Sequence, residues 1–183
     1  MKVLFLDIDG VLNNDKTFKE VHDYYMKTGY HKVEIGLDMV ERLSKIIEAT
    51  GAKIVLSSSW RLGWNLIEDG NCVPYSDCSS DVKLNSILKK YNLSVYSRTI
   101  VSNDRRRGDE IKDWLDRHPQ VTNYVILDDE VYDMMEYYEK GKVVKTNFLL
   151  PTEMVKSTKD TTGLQDIHVE QAIKILRGEK NDR

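Results

Sequence analysis

The chain has little cysteine, no long apolar run and no excess of positive charge, and each absence closes off a class of protein. Cysteine occurs only at Cys72 and Cys78, in a stretch rich in Pro, Ser and Asp. Two thiols make no disulfide framework; their spacing permits pairing, but in a reducing compartment they are expected to stay free. They make no zinc site either, because His22, His31, His118 and His168 are scattered and add no ligand nearby. No stretch approaches the roughly 20 apolar residues of a membrane-spanning helix. The N-terminal apolar run is short and broken by Asp7 and Asp9, so it does not read as a signal peptide, and a cytoplasmic location is expected. The net charge of −3 provides no global field for holding nucleic acid without sequence preference. A local basic patch remains at Arg105-Arg106-Arg107. There is no internal repeat and no low-complexity segment.

What is present is an ordinary globular composition, 40% hydrophobic and 31% charged over 183 residues. One domain is expected over residues 1–178, with a polar tail at 179–183. Apolar strands alternate with amphipathic helices. Strands are expected at Val3–Leu6, Lys53–Leu56, Ser94–Ser97, Tyr124–Leu127 and Val143–Val144. Val40, Leu43 and Ile47 share one face of a helix that Gly51 stops. Ser80 or Asp81 is expected to cap a helix with Leu84, Ile87, Leu88 and Tyr91 on one face. Ile111, Trp114, Leu115 and His118 define another after Gly108, residues 131–139 a further one, and Val169, Ala172, Ile173 and Leu176 the last. Residues 13–36 show no clean period, and residues 61–80 read as a loop. The alternation implies an α/β fold: a Rossmann-like three-layer sandwich around a mainly parallel sheet.

Parallel strands put all their carboxyl ends on one edge, and three of these strands end in reactive residues. Leu6 runs into Asp7 and Asp9, Leu56 into Ser57-Ser58-Ser59, and Leu127 into Asp128-Asp129. Burying carboxylates at a strand end costs several kcal/mol unless something compensates, and a hard divalent cation such as Mg²⁺ does so.

Asp7-Ile8-Asp9-Gly10-Val11-Leu12 resembles the first motif of the haloacid dehalogenase-like (HAD) phosphohydrolases. Ser57 after Ile54-Val55-Leu56 resembles the second motif, a cation within Arg105-Arg106-Arg107-Gly108 the third, and Leu127-Asp128-Asp129 the fourth. Each alone is weak; all four in the family's order over residues 1–130 are specific. The resemblance implies that Asp7 is the nucleophile, Asp9 the general acid and base, and Ser57 a donor to a phosphoryl oxygen. It implies that Gly10 lets the backbone approach the phosphate, and that Asp7, Asp9 through its carbonyl, Asp128 and Asp129 hold Mg²⁺. Arg107, directly before Gly108, is preferred as the third-motif cation, with Arg105 or Arg106 as alternatives; the family often has Lys there. Ser58, Arg61, Arg105 and Arg106 are further candidates for substrate binding.

Ser59-Trp60-Arg61 and Arg107-Gly108-Asp109-Glu110-Ile111 are similar to a narrower, capless branch. That branch includes the 3′-phosphatase domains of polynucleotide kinase/phosphatase and the HAD domains of RNA-repair proteins. Neither residues 13–36 nor 61–104 read as a full cap domain, so the expected site is open. The expected function is a Mg²⁺-dependent phosphomonoesterase acting on nucleotide or polynucleotide phosphate ends. A small-molecule phosphatase, and a non-catalytic module that binds phosphate or nucleic acid, are the alternatives. Trp60 and Trp64 read as packing residues before base-stacking ones.

Overall fold

The structure is a computed structural model and describes residues 1–102, 106–149 and 162–179. Its centre is a five-stranded parallel sheet of β1 (Lys2–Leu6), β2 (Lys53–Leu56), β5 (Val95–Arg98), β6 (Asn123–Asp128) and β7 (Val143–Lys145). The order across the sheet is β5-β2-β1-β6-β7, so β1 lies between β2 and β6. Leu6 is level with Leu56 on one side and Leu127 on the other, which brings the three expected strand ends side by side.

Alternation along β1 loads both faces. Leu4 and Leu6 enter one core with α2 (Leu37–Thr50), α3 (Ser79–Lys90) and α6 (Asp166–Arg177). Val3 and Phe5 enter the other with Ile111 and Trp114 of α4 (Arg107–Asp116) and Met134 of a 3-10 turn that leads into α5 (Met135–Glu139). This is the expected three-layer architecture. Val169, Ala172, Ile175 and Leu176 of α6 share the first core with β1.

Two stretches differ from expectation. Residues 13–36 contain a helix, α1 (Asp15–Thr28), capped by the Asn14 side chain, which accepts the Thr17 N–H at 2.9 Å, and stopped by Gly29 at φ +71°. Thr17 of α1 is buried, and Phe18, Val21 and Tyr24 on the same face are half-buried, a stripe set among charged residues. Residues 61–80, expected as loop, form a 3-10 turn (Ser59–Gly63) and an antiparallel hairpin of β3 (Trp64–Glu68) and β4 (Asn71–Pro74). Asp69-Gly70 is its turn signal, with Gly70 at φ +89°.

The cap of α3 is also corrected. Cys78, not Ser80 or Asp81, occupies that position, and the Asp81 carboxylate instead accepts the Trp64 indole N–H at 2.8 Å. Trp64 is fully buried, as a packing residue should be. Cys72 and Cys78 are both free. His118 stacks on Trp114 and places Nε2 2.6 Å from Asp69. Among the described residues no helix is long and apolar enough to cross a membrane. Of the expected polar tail, only Glu179 lies within the described residues.

Candidate active site at the carboxyl edge of the sheet

Asp7 is the first residue beyond β1, and its N–H extends the ladder to Leu127 O at 3.0 Å. Ser57 does the same beyond β2, donating to Leu6 O at 3.0 Å. Asp128 closes β6, and Asp129 follows. One carboxylate oxygen from each of Asp7, Asp128 and Asp129 lies within 4.8 Å of the others. Arg107, the first residue of α4, reaches this cluster: its Nη1 is 3.0 Å from Asp7 Oδ1 and pairs with Asp128 Oδ2. Arg107 is held there by its own N–H, which donates to Asp133 Oδ2 at 2.5 Å, so a distant aspartate caps α4.

The electrostatics follow from the crowding. Burial pushes the Asp7 carboxyl up to about 7, against the pull of Arg107 and with the push of Asp128. Burial, then Asp128 and Glu130, raise Asp129 to about 6. Asp128 is raised by burial as well, despite Arg107. On Arg107 burial works against the charge, but Asp7 and Asp128 outweigh it and its pKa rises.

Three clustered carboxylates offer hard oxygen donors, and one arginine does not neutralise them, so the donor set fits Mg²⁺ or a similar cation. A stability test follows. The folded, metal-free chain binds protons on Asp7 and Asp129 that the unfolded chain binds only near about pH 4. Its stability therefore falls as pH rises through about 6 to 7. Metal needs the charged carboxylates, so the rise in Tm on adding Mg²⁺ is expected to be larger at about pH 8 than at about pH 5.5. Differential scanning fluorimetry reads it, and an equal shift at both pH values would contradict the cluster as the metal site.

Asp9 stands outside this cluster. Its carboxylate accepts from Asn13 Nδ2 at 2.8 Å and from the Trp60 indole Nε1 at 3.2 Å. Asn13 also takes the Gly10 N–H on its Oδ1 at 2.9 Å, so one buried amide fixes both ends of the turn. Gly10 is at φ +73°, and a Cβ there would lie 2.5 Å from Asp129 Cγ. The glycine is thus required for Asp129 to close on the cluster. Thr146, just beyond β7, donates its hydroxyl to Gly10 O at 2.7 Å and its N–H to Asp128 O at 2.9 Å.

The serine loop is equally constrained. Ser57 Oγ is buried with no hydrogen-bond partner, an orphan donor beside the carboxylates. Ser58 Oγ accepts the Trp60 N–H at 3.4 Å and hydrogen-bonds Asp7, which offsets a small part of that carboxyl's rise. Arg61 is buried: its Nη1 donates to Ser57 O at 3.0 Å and Ser58 O at 2.7 Å, and its Nη2 to Glu110 Oε2 at 2.6 Å. Glu110 in turn accepts the Ser102 N–H at 2.8 Å. The guanidinium expected at the substrate therefore ties the serine loop to α4. Arg106 is exposed and 3.5 Å from Asp109, and Arg105 lies outside the described residues.

Sequence reasoning had no role for Asn13, Glu110, Asp133 or Thr146, and it set Trp60 down as packing. The Asn13-Asn14 pair directly after the first motif was a usable signal. Glu110 stood within the Arg107–Ile111 match without a role of its own, and Asp133 lies in a 3-10 turn that no motif covers.

A parallel sheet with this carboxylate cluster at the carboxyl edge of its central strands defines a HAD-type α/β domain. The family model for the HAD domain in Swiss Army Knife RNA repair proteins matches residues 3–150, and the chain belongs to that family. Membership implies phosphohydrolase activity in an RNA-repair setting. No curated protein and no solved structure matches the chain.

Proposed function

We propose that the chain is a Mg²⁺-dependent phosphomonoesterase that works through an aspartyl-phosphate on Asp7 and acts on nucleotide or polynucleotide phosphate ends, such as a 3′-phosphate. The observation that carries the chemistry is the meeting of Asp7, Asp128, Asp129 and Arg107 at one sheet edge. The substrate class is supported by the RNA-repair family and by an insert after the first motif that amounts to a single helix, α1.

The residues divide the work. An Asp7 oxygen attacks phosphorus while the P–O bond to the leaving alcohol breaks, and Asp9 gives that oxygen its proton. Asp9 then takes a proton from water, which attacks the aspartyl-phosphate and releases inorganic phosphate, restoring Asp7. Ser57 Oγ finds in a phosphoryl oxygen the partner it lacks. Arg107 faces the same oxygens and stabilises the charge that develops on them. Asp7, Asp128 and Asp129, with the Asp9 carbonyl, would hold Mg²⁺, which neutralises the carboxylates and the dianionic substrate. Arg61 acts as a positioning residue, holding the carbonyls of Ser57 and Ser58. One unit over residues 1–178 fits the sharing of a core by β1 and α6, and a cytoplasmic setting fits two free thiols.

Trp60 and Asn13 fix Asp9 for proton transfer. Trp60→Phe removes one charge-assisted hydrogen bond, so kcat is expected to fall about tenfold with KM little changed. A fall in kcat/KM through KM alone would assign Trp60 to binding instead.

The substrate reading is tested by phosphate release from a 3′-phosphorylated oligoribonucleotide, a nucleoside monophosphate and glycerol phosphate, all with Mg²⁺. The oligonucleotide is expected to give the highest kcat/KM. Preference for glycerol phosphate would favour the small-molecule phosphatase, and tight oligonucleotide binding without turnover would favour the binding module.

A further inference from the structure

A cavity opens directly off the carboxylate cluster, and its lining joins two aromatic rings to the carboxylates of Asp129 and Glu130 and to amide and ammonium groups. It encloses about 430 Å³ and shares Asp129 with the cluster. Tyr132 and Phe148 line it, together with Lys145 and Asn147. Lys145 is the last residue of β7 and is level with Asp128 of β6, so the cavity begins where the phosphate chemistry ends.

The two aromatic rings differ in a telling way. Phe148 is braced from behind: it packs edge-on against Phe18 of α1 at 5.5 Å, and its carbonyl accepts the Asp15 N–H at 3.5 Å. Tyr132 has no such support and is 85% exposed, in a turn whose neighbour Met134 is buried in the core. A large ring left in water beside a reacting centre offers a stacking face to a planar group. Among the described residues the Asn147 amide and the Lys145 ammonium make no hydrogen bond or ion pair with protein. An amide with both donor and acceptor suits the edge of a base, and an ammonium suits a phosphate or sugar oxygen.

We propose that this cleft is the subsite for the base of the nucleotide that carries the phosphate, with Tyr132 as its stacking face. The inference rests on the nucleotide-end reading and makes it specific. Discrimination then comes from the nucleoside, and every base qualifies because each has a π face. The insert after the first motif contributes by bracing Phe148 through Phe18.

The test compares two oligoribonucleotides with the same 3′-phosphate, one with a normal terminal nucleotide and one whose terminal sugar lacks its base. The wild-type protein is expected to prefer the intact end in kcat/KM by about tenfold, the scale of one stacked base. Tyr132→Ala is expected to bring that ratio close to one, and Tyr132→Phe to keep it. Tyr132 is exposed, so folding is not at stake. A wild-type ratio near one, or an unchanged ratio in Tyr132→Ala, would overturn the subsite. Turnover of glycerol phosphate with neither oligonucleotide hydrolysed would instead overturn the nucleotide-end reading beneath it.

Discussion

Asp7→Asn is expected to lose at least about a thousandfold in kcat, and to accumulate no phosphorylated protein. The substitution keeps the shape of the side chain and removes the attacking charge. It also reduces the ion pair that Arg107 makes at 3.0 Å to a neutral hydrogen bond, while Asp128 still pairs with the cation. Loss of activity through unfolding is separable. Asp7 is a buried carboxyl raised to about 7 by burial and its acidic neighbours, so in the metal-free protein above that pH its charge is a burden. The metal-free variant is accordingly expected to melt no lower than wild type at about pH 8. Its Tm is expected to respond less to Mg²⁺, since one ligand has become neutral. Full activity in Asp7→Asn would remove the covalent mechanism.

Glu110→Gln is expected to cost about 3–5 kcal/mol of stability, the range for breaking a buried ion pair from one side. The Glu110 and Arg61 side chains are 1% and 8% exposed, so the surviving guanidinium has no water to turn to. The loss is not confined to one contact. Arg61 holds the carbonyls of Ser57 and Ser58, and Glu110 holds the Ser102 N–H, so the pair fastens the serine loop to the helix that presents Arg107. A fall in Tm of about 10 °C follows for a chain of this size. Arg61→Met combined with Glu110→Leu is expected to recover part of it, because no charge is then left buried alone. A Tm within about 2 °C of wild type for Glu110→Gln would show that the pair carries little.

The parallel sheet and its site were legible because the signals were local. The strands around Leu4, Ile54 and Ile126 are apolar on both faces, as strands covered by helices must be, and their polar ends stand out. Gly10 was marked by its place directly after Asp7 and Asp9 in the first motif, although its close approach to Asp129 depends on the fold. Arg107 was preferred to its neighbours because Gly108 follows it, here at the head of α4. Helix α1 escaped because its apolar face is only half-buried and short, Phe18, Val21 and Tyr24 standing among charged residues. The hairpin escaped because its strands are short and, of their apolar residues, only Trp64 and Cys72 are buried while Ile67 and Val73 are exposed. Arg61 reads in the sequence as a substrate contact, and its pairing with Glu110 was not legible, because a motif arginine looks the same whether its partner is a phosphate or a glutamate 49 positions away. Pairings across such distances are written in the fold alone.

The most direct measurement is phosphate release from a 3′-phosphorylated oligoribonucleotide, with Mg²⁺ and then with the metal chelated. The mechanism requires turnover with Mg²⁺ that stops on chelation and is absent in Asp7→Asn. Undiminished release after chelation, or no release from any phosphomonoester by folded, Mg²⁺-loaded protein, would contradict it.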